Sequence, residues 1–151
     1  MWRLAQVSDI ESAKALLLGE VTEFDVASVA SWWIDVPVRL GQLQICFDQY
    51  AKCVGVISWA YLSDDRHEQM FHRKPNVLHP SEWNEGVQLW IMQLLTRERR
   101  AVWGVRAILA ELARQSGCVW YGRERMGVVQ SRALCLTNTG ALRRVTSPPG
   151  I

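Results

Sequence analysis

One segment constrains this chain more than any other. Val87–Leu95 is apolar throughout except for Gln88 and Gln93. A run of that length, bounded by turn residues, suits a strand buried on both faces at the centre of a sheet. A basic turn, Arg97–Arg100, comes next, followed by a helix to about Gln115. The apolar stripe of that helix is Val102, Val105, Ile108, Leu109 and Leu112, which recurs at helical spacing. Ser116-Gly117 stops the helix, and Cys118–Tyr121 reads as the next strand. Strand, helix, strand in this order is a β-α-β crossover.

The remaining elements arrange themselves around that unit. Met1–Ala5 can form a short edge strand. Ser8-Asp9-Ile10-Glu11 has the form of a capping box for a helix to about Leu18, with Gly19 as its stop. Asp25 can cap a second helix whose apolar face is Val26, Val29, Ala30, Trp33 and Ile34. Pro37 should kink or end that helix, because it lacks a backbone donor, and Gly41 marks the exit. Leu43–Phe47 and Val54–Leu62, linked by Gln49–Lys52, read as an antiparallel hairpin. Ser63 can cap a short helix through Met70 and Phe71, and Arg73–Pro80 reads as a loop. Val128–Leu136 forms a last strand after a turn at Arg123–Gly127, and the tail from Thr137 is expected to fray. The order β-α-α-β-β-α-β-α-β-β is that of an α+β domain with a largely antiparallel central sheet flanked by helices. At 151 residues, 1–151 is expected to be a single domain.

Composition narrows the class. About half of the residues are hydrophobic and a fifth are charged, as in ordinary globular proteins. A chain of this size buries roughly 70% of its unfolded surface, so it needs neither disulfide nor metal to hold a core. Eight tryptophans point to a well-filled core, an aromatic-lined groove, or both. Cys46, Cys53, Cys118 and Cys135 form no C-x-x-C pair and sit among apolar neighbours, which reads as reduced, buried thiols. With no signal-peptide pattern and no apolar run near the ~20 residues of a membrane span, the expected location is cytoplasmic. His67, His72 and His79 lack the spacing of a helical zinc pair, so no metal site is expected. Trp32 falls off the apolar face that includes Trp33 and can line a groove or fill the core.

Charge is unevenly distributed. Residues 1–65 carry four Lys/Arg against nine Asp/Glu, whereas residues 66–151 carry thirteen against six. The basic half favours an anionic partner: a phosphate-bearing co-substrate, an acidic carrier protein or nucleic acid. Tyr121, Arg123, Arg125 and Arg132 would serve the last of these. Arg97, Arg99 and Arg100 stand where a helix begins, and Gly104 lies within its first turns. Free backbone N–H groups at a helix N-terminus with Arg beside them form an anion site.

That segment resembles the acyl-CoA pyrophosphate loop of the GNAT acetyltransferase superfamily, R/Q-x-x-G-x-G/A. Arg99-Arg100-Ala101-Val102-Trp103-Gly104 keeps the Arg and the last Gly and places Val102 at the first Gly. The opening Trp2–Ile10 is similar to a GNAT first strand running into its first helix. A more specific likeness lies mid-chain. Val54-Gly55-Val56-Ile57-Ser58-Trp59-Ala60-Tyr61-Leu62-Ser63 resembles the V-G/A-x-x-S-W-A-x-L-S strand of the RTX toxin-activating lysine acyltransferases. Glu82-Trp83, Gly86 and Trp90 follow the spaced D/E-W…G…W segment of that family, and Pro37 falls where the family has a proline.

The resemblance implies a GNAT-like fold and transfer of a fatty acyl group from acyl carrier protein to a lysine side chain. It places the family's catalytic His at Glu23 and its Asp at Gln93, so neither residue is kept. Glu23 can act as base if burial raises its pKa, or it can simply favour a helix N-terminus. Gln93 cannot titrate but can hydrogen-bond an acyl carbonyl. Tyr121 corresponds by position to a GNAT general acid, and Ser58 reads as a packed strand serine. The expectation is an acyltransferase-like protein with acyl-ACP or acyl-CoA as co-substrate, no tightly bound cofactor, and lysine or another amine as acceptor. The alternatives are a catalytically inactive GNAT-like binding module and a modifier or binder of nucleic acid.

Overall fold

The structure is a computed structural model that describes residues 1–18, 31–71, 78–125 and 128–145; for residues 31–32, 123–125 and 128–130 only the backbone is described. Seven strands form one sheet in sequence order: β1 (Trp2–Leu4), β2 (Leu43–Phe47), β3 (Cys53–Leu62), β4 (Gln88–Thr96), β5 (Cys118–Arg125), β6 (Val128–Leu136) and β7 (Leu142–Val145). Neighbours are antiparallel except β4 and β5, which are parallel. The helices are α1 (Ile10–Leu18), α2 (Val36–Arg39), α3 (Asp64–Met70) and α4 (Arg99–Ser116). This is the expected α+β arrangement, with α4 as the crossover.

Both faces of the sheet are covered. On one, Ile57, Trp59, Leu89 and Val119 pack against Val105, Ile108, Leu112 and Ala113 of α4. On the other, Leu43, Ile45 and Val56 meet Ala13, Leu16 and Leu17 of α1 and Val38 of α2. Farther along that face, Ala60, Leu62, Trp90 and Trp120 meet Met70, Leu78 and Trp83.

Several local readings hold. Ser63 caps α3 by accepting the Arg66 N–H at 3.3 Å. Gly117 ends α4 with φ +81°, a conformation that costs other residues more. The helical segment leading to α2 changes from π to α form between Asp35 and Val36, one residue before Pro37, as befits a residue without a donor.

Other readings need correction. The fully buried strand is β3, not β4: of β3 only Tyr61 is less than buried, whereas in β4 only Leu89 and Trp90 are buried. Val87 is exposed and Leu94 is 46% exposed. The reason is coverage, since β3 is roofed on both faces and the second half of β4 is not. In α4, Val102 is 42% exposed and Ala101 is the buried residue of the first turn. The cap before α1 is not Ser8. A 3-10 turn over Val7–Asp9 precedes the helix, and Asp9 accepts the Gln6 N–H at 2.8 Å while binding Arg3 through both oxygens, at 2.6 and 2.9 Å. Arg3 supplies a charge from β1 that a local reading of the Ser8 box omits. β5 runs on to Arg125, through the first residues of the turn expected at Arg123–Gly127. The tail contributes β7, antiparallel to β6. Cys118 and Cys135 are joined in a disulfide; they are register partners of β5 and β6 with Cα atoms 4.1 Å apart. Only Cys46 and Cys53 are free, buried thiols.

Candidate functional site

Among the described residues β4 and β5 are held together at one register pair, Trp90–Trp120, whereas β3 and β4 pair along eight positions. Both tryptophans lie early in their strands, so the two parallel strands lose their pairing toward the C-terminal ends. On the β3 side, the register steps from Ser58–Gln93 to Trp59–Ile91, which leaves Met92 as the extra residue of a β-bulge. A bulge takes the backbone groups of the extra residue out of the ladder and re-aims the side chains around it.

Gln93 stands at this bulge opposite Ser58. It lies on the face of the sheet that carries Val56 and Ala60, between the α1 and α3 packing groups. Ser58 is fully buried, and neither its Oγ nor the Gln93 Oε1 has a hydrogen-bond partner among the described residues. Buried polar atoms are seldom left so; an amide group entering here could donate its N–H to the Gln93 Oε1 and accept from the Ser58 hydroxyl, whereas an acyl carbonyl could only accept from Ser58. Ser58 is packed within β3, as its sequence context suggests, with its hydroxyl left unpartnered.

The rest of the Ser58–Ser63 motif has structural duties. Trp59 packs under α4, Ala60 and Leu62 enter the opposite core, and Ser63 caps α3. Gly86 is glycine because a Cβ there would overlap the Leu62 backbone; this close approach lets Glu85 and Gly86 donate to the Tyr61 carbonyl, at 2.9 and 3.1 Å.

Sequence reasoning missed His67. It projects from α3 onto the fork, where Nδ1 accepts the Trp90 Nε1–H at 2.8 Å. Its ring makes edge contacts with Phe71, Trp90 and Trp120 at centroid distances of 5.1, 5.7 and 4.9 Å. The Trp90 bond needs a neutral imidazole with its proton on Nε2. Burial also pushes the His67 pKa below its ordinary value, against the pull of Asp64 and Glu68. No spacing rule could have found this pairing, which joins residues 23 positions apart.

The residues expected at the donor end are placed as follows. Arg99 and Arg100 open α4 and are exposed. Their backbone N–H groups belong to the first turn, which has no intrahelical acceptors, and Glu98 at the cap makes no side-chain bond to them. Arg97 instead turns toward α1, donating to the Leu16 carbonyl at 3.3 Å. Gly104 receives the Trp2 indole: a Cβ there would overlap Trp2, whose Nε1–H donates to the Ala101 carbonyl at 2.9 Å. A cavity of about 420 Å³ opens beside this wedge, lined by Trp2, Tyr50, Glu98 and Arg100 among others. A second, of about 400 Å³, lies between α4 and β1–β3, with Trp59 and Leu112 in its wall.

Tyr121 follows Trp120, just past the last paired position, and is half-buried. Successive strand residues point to opposite faces, so Tyr121 shares the α4 face while Gln93 is on the other. The structure therefore brings Gln93 together with Ser58, and not with the Tyr121 side chain. Glu23 lies outside the described residues, as do Asp25, Val26, Val29, Ala30, His72 and most of the Arg73–Pro80 loop. Among the described residues no group of three or more His, Cys, Asp or Glu is arranged to hold a metal ion, and no helix is long and apolar enough to cross a membrane.

A mostly antiparallel sheet whose one parallel pair diverges around a bulge, with the crossover helix starting at the open end, defines a GNAT-type acyltransferase fold. The loading GNATL domain of CurA from Lyngbya majuscula has this fold, with a TM-score of 0.61 at 15% identity over 81% of this chain; the chain spans 63% of the length of that domain. Naa20 of Chaetomium thermophilum, solved in complex with a bisubstrate analogue, is more distant. Its TM-score is 0.46 at 14% identity, covering 83% of this chain and 63% of that one. A Corynebacterium glutamicum protein described as histone acetyltransferase HPA2 and related acetyltransferase gives 0.47 at 14% identity, covering 83% and 77%. No curated protein sequence matches the chain. The chain belongs to the RTX toxin acyltransferase family, HlyC, whose family model matches residues 15–116.

Proposed function

We propose that the protein transfers an acyl group from a pantetheine thioester, carried by acyl carrier protein or CoA, to an amine such as a lysine side chain. The observation that carries this reading is the single described pairing of β4 with β5 at Trp90–Trp120, which leaves the backbone groups beyond it outside the ladder and free to pair with an extended pantetheine arm. In the reaction the amine nitrogen attacks the thioester carbonyl carbon. A C–N bond forms, the C–S bond breaks, and the pantetheine thiolate leaves and takes up a proton. The amine must first lose its own proton.

Gln93 and Ser58 supply hydrogen-bonding groups to the acyl carbonyl or the incoming amine. Gln93 cannot accept the amine proton, so that task falls to Glu23, provided its pKa is raised toward neutrality. Tyr121 is the proposed acid for the departing thiolate, which it would have to meet from the α4 face of the β4–β5 opening while Gln93 and Ser58 hold the acyl group from the other. Arg99 and Arg100, at the start of α4, serve the donor's phosphates; Arg97 joins them only by leaving the Leu16 carbonyl. No tightly bound cofactor takes part in this scheme. The proposed site of the reaction is the cytoplasm.

The test is intact-mass analysis of lysine-bearing acceptors, and of the protein itself, after incubation with acyl-ACP and acyl-CoA. Mass addition equal to the acyl group supports transfer. The non-titrating Gln93 favours one second reading, a binding module that holds the donor without turnover. Saturable donor binding with no mass addition on any amine would select that reading.

A further inference from the structure

We propose that the outward face of α4 is the docking surface for an acidic helical carrier domain that delivers the acyl group, a proposal that rests on the acyl-transfer reading above. The face opposite the buried stripe Ala101, Val105, Ile108 and Leu112 carries Arg99, Trp103, Arg106 and Arg114 at spacings of four, three and eight residues. Those spacings align them along one line of the helix. Trp103 is 72% exposed. A large aromatic ring left mostly uncovered on a solvent-facing helix stripe adds little to the core, whereas Trp and Arg are the residues enriched at interface anchors. Arg99 and Arg106 have no ion-pair partner among the described residues; Arg114 has only a long contact to Glu111, 3.6 Å, with both side chains more than half exposed. The charge is therefore available to a partner.

The length of the stripe argues for a macromolecule. Arg99 to Arg114 spans about 22 Å along the axis, whereas a small phosphate-bearing donor engages only the first turn of a helix. The stripe begins at the helix start that opens the donor site, so a carrier lying along it would present its pantetheine at the β4–β5 opening. The spacing selects the partner's form. Arg99 and Arg106 are about 10.5 Å apart along the axis, the rise between carboxylates seven residues apart on an opposing helix. A continuous polyanion fits less well, because Trp103 and Ala110 break the line of arginines between Arg99 and Arg114. A second copy of the chain would set arginine against arginine.

The test measures direct binding of fluorescently labelled holo-acyl carrier protein to the purified chain, by anisotropy across a salt series. Trp103→Ala and Arg106→Glu are compared with the native protein. Both side chains are exposed, and circular dichroism checks that each variant is folded. Each substitution is expected to weaken carrier binding at least about tenfold, with the Arg106→Glu effect fading as salt rises. Transfer from acyl-CoA should be unchanged in Arg106→Glu, which lies beyond the helix start. Absent carrier binding, or equal binding by native protein and variants, overturns the proposal. So does tighter binding of a single-stranded oligonucleotide or of anionic phosphatidylserine vesicles that is lost in the same variants. The two readings fail separately. Carrier binding lost in the variants, with no acyl transfer by the native protein, would leave the docking surface and remove the reaction. Transfer from acyl-CoA without carrier binding would do the reverse.

Discussion

Gly104→Ala distinguishes a glycine kept for a phosphate from one kept for a neighbouring ring. Trp2 sits between two glycines. Its ring lies 2.8 Å from the position a Cβ would take at Gly55, and a Cβ at Gly104 would overlap it outright. In an isolated helix the substitution would stabilise by about 1 kcal/mol, because glycine gives up more backbone entropy than alanine. Here the added methyl must move the indole. Overpacking costs about 1–3 kcal/mol, and loss of the Trp2–Ala101 hydrogen bond adds about 1 kcal/mol. Trp2 is only half-buried, so full expulsion should cost no more than the low end of a tryptophan truncation, about 3 kcal/mol. The net expectation is destabilisation by about 1–3 kcal/mol. Urea unfolding followed by far-ultraviolet circular dichroism measures it without relying on tryptophan emission. The decisive arm is the same substitution made in Trp2→Ala. With the ring gone, Gly104→Ala should become stabilising by about 1 kcal/mol, so the sign of the effect inverts. Stabilisation in the native background, or the same destabilisation in both backgrounds, would refute the wedge.

Three further outcomes are expected. Glu23→Gln keeps size and removes charge; if Glu23 is the base, acyl transfer should fall by ~10²–10⁴-fold with the fold intact, whereas a helix-terminus role would cost only about 0.3–1 kcal/mol in denaturation. The His67 pKa is lowered in the fold by burial, so the unfolded chain binds the extra proton first and stability should decline as pH falls below about 6.5. His67→Gln should flatten that part of the stability–pH curve relative to native, and matching curves would count against the neutral His67–Trp90 bond. Reduction of Cys118–Cys135, which are 17 residues apart, should lower unfolding free energy by about 3 kcal/mol on loop-closure grounds. Denaturation with and without dithiothreitol, with Cys118→Ala as control, checks it; identical midpoints would mean the thiols are not joined in solution, as a reducing cytosol would favour.

Signals carried by adjacent residues were legible in the sequence. Ser63 as a cap, Gly117 as a stop, the β2–β3 hairpin and the β-α-β crossover each depend on a few neighbours and on periodicity, so a linear reading finds them. The same holds for the family, because the Ser58–Ser63 strand and the Glu82–Trp90 segment are contiguous patterns. What only the tertiary structure decided depends on register between distant segments. The bulge at Met92 exists because β3 and β4 slip by one residue between Ser58 and Trp59, and that slip puts the unpartnered Ser58 and Gln93 side by side. Cys118 meets Cys135 only through the β5–β6 register. The Arg3–Asp9 pair displaced the cap expected at Ser8, and Trp2 claimed Gly104 from 102 residues away. His67 reaches Trp90 because α3 crosses the face where β4 and β5 part. Local free energies of about 1 kcal/mol per cap or turn set where elements begin and end. Which side chains share a cavity is set by packing the whole sheet between two layers of helices, and no short window of sequence contains that information.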